Sequence, residues 1–168
     1  MATTQLKGNP VSLAGEFPAK DAIAKNFTAV QQDLSEISSE SLKGQKVVLS
    51  IFPSIDTDVC ATSVRKFNEK AASLENTKVI CLSADLPFAF KRFCGAEGIE
   101  NVVTASLFRN HEFATDYGVL INEGPLAGLT ARAVIVMDEA GKILHAELVD
   151  DITHEPDYDA ALVALSRY

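Results

Sequence analysis

Positive charge is in short supply in this sequence. Fifteen lysines and arginines stand against 23 aspartates and glutamates, a formal net charge of −8, and no basic cluster breaks the pattern. A nucleic-acid partner, which needs a basic face for the phosphate backbone, is therefore not expected. Long apolar runs are also missing. The strongest, such as AVIVM at 133–137, fall far short of the roughly 20 residues that cross a bilayer. The opening MATTQLKGNPVSLAG carries no apolar stretch of the kind that marks a secretory leader. Cysteine is scarce, with three residues at 60, 81 and 94 and no CxxC. An odd, widely spaced set makes a poor disulfide framework, so a reducing cytoplasm is the expected setting, where any disulfide is transient and chemical. The same spacings, with His111, His145 and His154 scattered, argue against a zinc site. All three histidines are expected on the surface or in loops, and DEAGK (138–142) reads as a hairpin turn rather than a calcium loop.

Repeats, low-complexity tracts and linkers are absent too, so 1–168 reads as one domain, long enough to bury a core without staples. Within it, QLKGNPVSL (5–13) reads as an N-terminal hairpin turning at Gly8-Asn9-Pro10, and FTAV (27–30) as a short strand. KVVLSIF (46–52) is apolar enough to be a strand buried on both faces. After Thr57, Val64, Phe67, Ala71 and Leu74 recur at the three-to-four spacing of a helix packing one side, and four residues back from Val64 lies Cys60. TKVICLSAD (77–85) is a further buried strand. Pro87 opens a short helix, PFAFKRFCGAEG, that stops at Gly95 or Gly98. NVVTASL (101–107) reads as strand and HEFATDYGV (111–119) as helix. TARAVIVMD and KILHAELV form a hairpin, and DYDAALVALSRY is a closing helix. This order implies an α/β fold, a central mixed sheet with helices on both faces. A thioredoxin-like fold fits the order without being singled out by it.

The three thiols differ in setting. Cys81, between Ile80 and Leu82 in a strand, reads as an inert core residue. Cys60 falls in the first turn of a helix, where unpaired amides and the dipole favour a negative charge and hence the nucleophilic thiolate. The helix end is not sufficient by itself. Lowering a thiol pKa from about 8.5 to about 6 takes roughly 3.4 kcal/mol, whereas a helix terminus supplies about 0.3–1 kcal/mol and about 2 in good geometry. A cation or further hydrogen bonds must supply the rest. Thr57, three residues earlier, reads equally as an N-cap accepting from the Cys60 amide or as a hydroxyl presented to a ligand over the sulfur. Cys94 lies 34 positions beyond Cys60. Closing that loop removes unfolded-chain entropy worth roughly 4 kcal/mol, which suits a staple as well as a catalytic pair. Only the reducing compartment tips the balance toward a reversible pair.

The segment FPSIDTDVC resembles the active-site segment of the peroxiredoxins: proline, three residues, threonine, two residues, cysteine, here Pro53, Thr57 and Cys60. The strings GNPV, FPSIDTDVCATSVRKFN, CLSADLPFA, RFCGAEG, FRN, GPLAGLTARAVIVMD and EPDY extend the resemblance over nearly the whole chain. They point to the bacterial thiol peroxidases, the atypical two-cysteine subgroup. The resemblance implies a thioredoxin-like fold with an N-terminal β-hairpin extension, and chemistry by thiols without a cofactor or metal. It implies Cys60 as the peroxidatic cysteine, Cys94 as the resolving cysteine of the same subunit, Arg132 as the active-site cation and Pro53 as a shield over an exposed sulfur. Without it, Arg132 reads as an edge-strand residue in a surface ion pair. Arg65, about 140° round the helix from Cys60, is the weaker cation.

Also implied are a hydroperoxide substrate, thioredoxin or a similar dithiol as reductant, and a homodimer. Phe52, Phe88, Phe90, Phe93 and Leu120 suit an apolar rim favouring alkyl hydroperoxides, or equally a core. Two rivals remain. A general thiol–disulfide oxidoreductase would want a CxxC, which is missing. A non-catalytic redox sensor would not require Pro53, Thr57, Cys60 and Arg132 together.

Overall fold

A computed structural model describes residues 3–166. Its centre is a seven-stranded sheet in the order β10-β9-β5-β6-β7-β3-β4. The middle strands are β5 (Lys46–Ile51), β6 (Thr77–Ser83) and β7 (Val103–Ser106), which run parallel to one another. On one flank β9 (Ala133–Met137) and β10 (Ile143–Leu148) pair antiparallel to β5 and to each other. On the other, β3 (Thr28–Gln31) and β4 (Glu36–Ser38) complete the edge. In β5 five of six residues are buried, as a strand covered on both faces requires.

The two faces of that strand feed two cores. Val48 joins Val79, Cys81, Val134 and Val136 beneath three helices, α1 (Asp58–Ala71), α2 (Pro87–Glu97) and α4 (Tyr158–Ser166). Val47, Leu49 and Ile51 point the other way, to Phe113 and Ala114 of α3 (Glu112–Asp116) and to Tyr117 just beyond it. Val11 and Leu13 of the N-terminal hairpin join them. The expected mixed sheet with helices on both faces is therefore present, placed by the period-two alternation of β5.

The hairpin is β1 (Thr3–Leu6) with β2 (Asn9–Ala14), extended by the two-residue β8 (Leu120–Ile121). Its turn is not Gly8-Asn9-Pro10 but Lys7-Gly8, with Leu6 opposite Asn9 and Pro10 paired to Gln5. Both central residues have positive φ, 51° and 84°, the conformation that matches the twist of a two-residue hairpin and that glycine adopts freely. In α2, Gly95 is simply a helical residue. The helix stops at Gly98, whose φ of 66° is left-handed, and the Gly98 and Ile99 amides both close on the Cys94 carbonyl. Helix α1 ends at Ala71, so Leu74 lies beyond it. The short β4 and β8 and a 3₁₀ turn at Glu40–Leu42 carry too few residues to show a period, and sequence patterning missed them.

Candidate active site

The chain leaves β5 at Ile51 and reaches α1 through Phe52–Thr57, a loop held at both ends. The Phe52 amide donates to Leu82 and its carbonyl accepts the Thr130 hydroxyl at 2.7 Å. Further on, one carboxylate organises the loop: Asp85 accepts from the Ile55 amide at 2.6 Å and the Ser54 hydroxyl at 2.8 Å, and also from the Ser83 hydroxyl. Asp85 stands between β6 and α2, so the loop before Cys60 is tied to the root of the helix that carries Cys94. Asp56 and Arg92 add an exposed ion pair at 2.9 Å between the same two segments. Pro53 is buried in this loop.

Thr57 is the N-cap residue of α1 by backbone conformation but not by side chain. It makes no side-chain cap; its hydroxyl donates to the Ser54 carbonyl at 3.0 Å. Oγ1 therefore retains its acceptor capacity toward solvent. The first amide of the helix to find a backbone acceptor is that of Ala61, on the Thr57 carbonyl at 3.0 Å. Among the described residues the Cys60 amide has no acceptor, so the first turn keeps an unpaired donor at the cysteine itself.

Cys60 is fully buried, which corrects the expectation of an exposed thiol. The reason is packing: the first turn of α1 lies in the apolar cluster of Phe52, Ile55, Val64 and Phe90, with Arg132 against it. Arg132 lies just ahead of β9, an inner strand, and is 3% exposed, so the edge-strand reading does not hold. Its Nη2 donates to Cys60 Sγ at 3.2 Å, and its Nε to the Ile152 carbonyl at 2.9 Å. Its Nη1 is buried without a partner, and among the described residues no carboxylate lies within ion-pair distance of the guanidinium. Glu155 stands near enough to feel its charge. The Glu155 carboxyl is held below its usual range first by Lys66 at 3.0 Å, then by the Tyr158 hydroxyl at 2.9 Å, with Arg132 adding to the effect. Arg65 turns away from the sulfur, pairs with Glu97 at 2.5 Å and covers the Phe93 ring.

Cys94 is not at a helix start. It is the eighth residue of α2, 6% exposed, and shares the apolar cluster of Cys60. Burial pushes its thiol up, and the Thr104 hydroxyl, 3.7 Å from Sγ, pulls it partly back. Cys81 is wholly buried, its thiol raised far above the usual value by burial and then by the charge of Cys94. All three cysteines are free. Of the residues read as an apolar rim, Phe52 and Phe90 are core, edge to face at 6.4 Å. Phe93 lies under Arg65 and Phe88 is 64% exposed. Leu120 bridges to Thr130 from the opposite face of the sheet. His145 lies in β10, half-buried with an unpartnered Nε2, rather than on the surface or in a loop. Sequence reasoning gave no role to Asp85, Thr130 and Ile152 because their partners are distant in the chain, although the quoted strings CLSADLPFA and GPLAGLTARAVIVMD contain the first two.

The profile of the Redoxin family matches residues 5–162. The thiol peroxidase of Corynebacterium glutamicum is 56% identical over 166 residues, 99% of this chain and all of its own length. Among solved structures, a peroxiredoxin-like protein from Aquifex aeolicus superposes with a TM-score of 0.94 at 42% identity, covering 99% of this chain and 97% of its own. A thiol peroxidase from Chromobacterium violaceum does so with a TM-score of 0.90 at 25% identity and the same coverage. The mixed sheet, its crossing helices and the hairpin extension are thus those of a thioredoxin-like fold, as the resemblance implied. On this agreement of profile, sequence and fold, the chain belongs to the Redoxin family and, within it, to the bacterial thiol peroxidases.

Proposed function

We propose that Cys60 and Cys94 carry the thiol-dependent peroxide reduction that family membership gives this chain. The observation that carries the reading is the buried Arg132 guanidinium, 3.2 Å from Cys60 Sγ and without a carboxylate partner. An isolated buried cation costs several kcal/mol. A thiolate on Cys60 offsets that cost, so each charge stabilises the other, and the thiolate is the nucleophilic form. Arg132 supplies the cation that a helix terminus alone lacks.

The chemistry follows. The Cys60 thiolate attacks the nearer oxygen of ROOH, the O–O bond breaks, and RO⁻ leaves with a proton from solvent as ROH, giving a sulfenic acid on Cys60. The unpartnered Arg132 Nη1, the free Cys60 amide and the Thr57 hydroxyl are the groups suited to hold the two oxygens as charge moves onto the leaving one. Pro53, buried beside them, limits access by water. The Cys94 thiol then attacks the sulfenic sulfur, water leaves, and a Cys60–Cys94 disulfide forms. A dithiol, thioredoxin by resemblance, reduces it by exchange and becomes a disulfide itself.

Both sulfurs start buried in separate helices. Loosening of the first turn of α1 or the last of α2 is the motion that would bring them to a bond of about 2 Å. In α2 that means releasing the two amides on the Cys94 carbonyl. Cysteines without CxxC suit a reducing cytoplasm, and no helix of the described residues is long and apolar enough to cross a membrane. A homodimer completes the reading, with the exposed Leu86 and Phe88 at the root of α2 as apolar surface such a contact would cover.

A non-reducing peptide map after less than one equivalent of cumene hydroperoxide tests it. The expected product is a single intrachain Cys60–Cys94 link with Cys81 free. Oxidation of Cys60 with Cys94 untouched refutes the resolving role, and a fully reduced Cys60 refutes the whole scheme.

A further inference from the structure

The N-terminal hairpin and the catalytic arginine meet through one peptide bond. The Ile152 carbonyl accepts Arg132 Nε at 2.9 Å, and the Thr153 amide, the other end of the same planar unit, donates to Asp151 Oδ1 at 2.9 Å. The carboxylate thus fixes the direction of the carbonyl that aims the guanidinium, and polarises it as an acceptor. Asp151 is itself held: Oδ1 also accepts the Thr153 hydroxyl at 2.6 Å and the Lys7 amide at 3.3 Å, and Oδ2 accepts the Gly8 amide at 2.8 Å. These two amides converge because Lys7 and Gly8 are both left-handed. The peptide before is pinned as well, with the Ile152 amide on the Gln5 carbonyl at 2.8 Å. The Thr4 hydroxyl holds the Val149 carbonyl at 2.9 Å, while the Val149 amide returns to the Arg132 carbonyl at 3.0 Å. Asp151 is 4% exposed, although the residues that donate to it, Lys7, Gly8 and Thr153, lie at the surface.

We infer that Asp151 is a positioning residue for Arg132, and that the hairpin turn at Lys7-Gly8 serves the site by locking Asp151 in place. The inference rests on the reading that Arg132 acts on Cys60. Without the carboxylate the Ile152–Thr153 peptide is free to rotate, the Nε bond is lost part of the time, and Nη1 and Nη2 leave the geometry that faces the sulfur. Misplacements of this kind typically reduce rates by one to two orders of magnitude.

A double-mutant cycle on the full chain tests it, reading the second-order rate of Cys60 oxidation by hydrogen peroxide in the reduced protein, with thermal stability measured in parallel. Asp151→Asn lowers that rate roughly ten-fold, and in an Arg132→Met background it lowers it no further. A purely structural role predicts the same loss in both backgrounds, and that result overturns the inference, as does an unchanged rate in Asp151→Asn alone. Arg132→Met decides the underlying reading separately: a rate within three-fold of the parent removes the role of Arg132, and the positioning role with it. If Asp151→Asn does not fold, Thr4→Val removes a single bond from the same clamp. The same cycle is then run with it, and a loss that vanishes in the Arg132→Met background is again required.

Discussion

Replacing Arg132 by methionine separates function from stability in a way most buried substitutions do not. The guanidinium Nη2 lies 3.2 Å from Cys60 Sγ. With an effective dielectric near 20, a unit charge at that distance interacts with the thiolate by ~5 kcal/mol. A charge-assisted hydrogen bond judged from mutational data is worth less, roughly 1.5–3 kcal/mol. Taking about 3–5 kcal/mol as the loss in the reacting state, peroxide reduction slows by roughly 10²- to 10⁴-fold. The stability cost is small by comparison. No carboxylate is orphaned, because among the described residues none pairs with the guanidinium. Methionine fills similar volume, and besides Cys60 Sγ the acceptor left without its donor is the Ile152 carbonyl, at about 1 kcal/mol. Removing a buried cation recovers part or all of that. The assay pairs stopped-flow peroxide kinetics on the reduced protein with urea unfolding. A variant that reacts within three-fold of the parent refutes the reasoning. So does one that loses activity only in proportion to a loss of several kcal/mol in stability, since that would make Arg132 a structural residue.

Two further outcomes follow from the same geometry. Asp85→Ala leaves the Ile55 amide and the Ser54 hydroxyl without their acceptor, so it destabilises the protein by about 2–4 kcal/mol, read as a lower urea midpoint, and it slows both Cys60 oxidation and disulfide formation because the loop and the root of α2 lose their tie. A variant with parental midpoint and rates would show that the network is incidental. For Cys94, burial raises the thiol above its ordinary value, so at neutral pH it is mostly protonated and its thiolate fraction grows about ten-fold per pH unit below that value; disulfide formation in single turnover therefore accelerates from pH 7 to 8.5, and a flat profile would mean that helix opening, not thiol ionisation, sets the rate.

Much of this protein was open to reading along the chain because the relevant signals are local. KVVLSIF and TKVICLSAD each carry a short, mostly apolar run of the length and β-branched content that suits a strand covered on both faces, so the middle of the sheet was legible along the chain. The spacing of Val64 and Phe67 likewise placed Cys60 in the first turn of α1, and the strings that carry the resemblance named Pro53, Thr57, Cys94 and Arg132. Other features were closed to such reading. Nothing between residues 60 and 132 marks Arg132 as buried against a sulfur; that follows from β9 pairing with β5, which brings residues 72 positions apart to 3.2 Å. Thr57 looks like an N-cap by spacing, yet its hydroxyl turns to Ser54 because the loop places that carbonyl 3.0 Å away. Cys60 looks exposed, as a helix start usually is, yet the cluster of Phe52, Ile55 and Phe90 closes over it. The sequence by itself determined the elements, their faces and the chemistry its thiols are capable of, since these depend on neighbours within a turn or a strand. The tertiary structure alone decided how closely and how deeply buried Arg132 meets the thiol, and which backbone carbonyl holds it there, because each depends on contacts between segments that only the assembled sheet brings together.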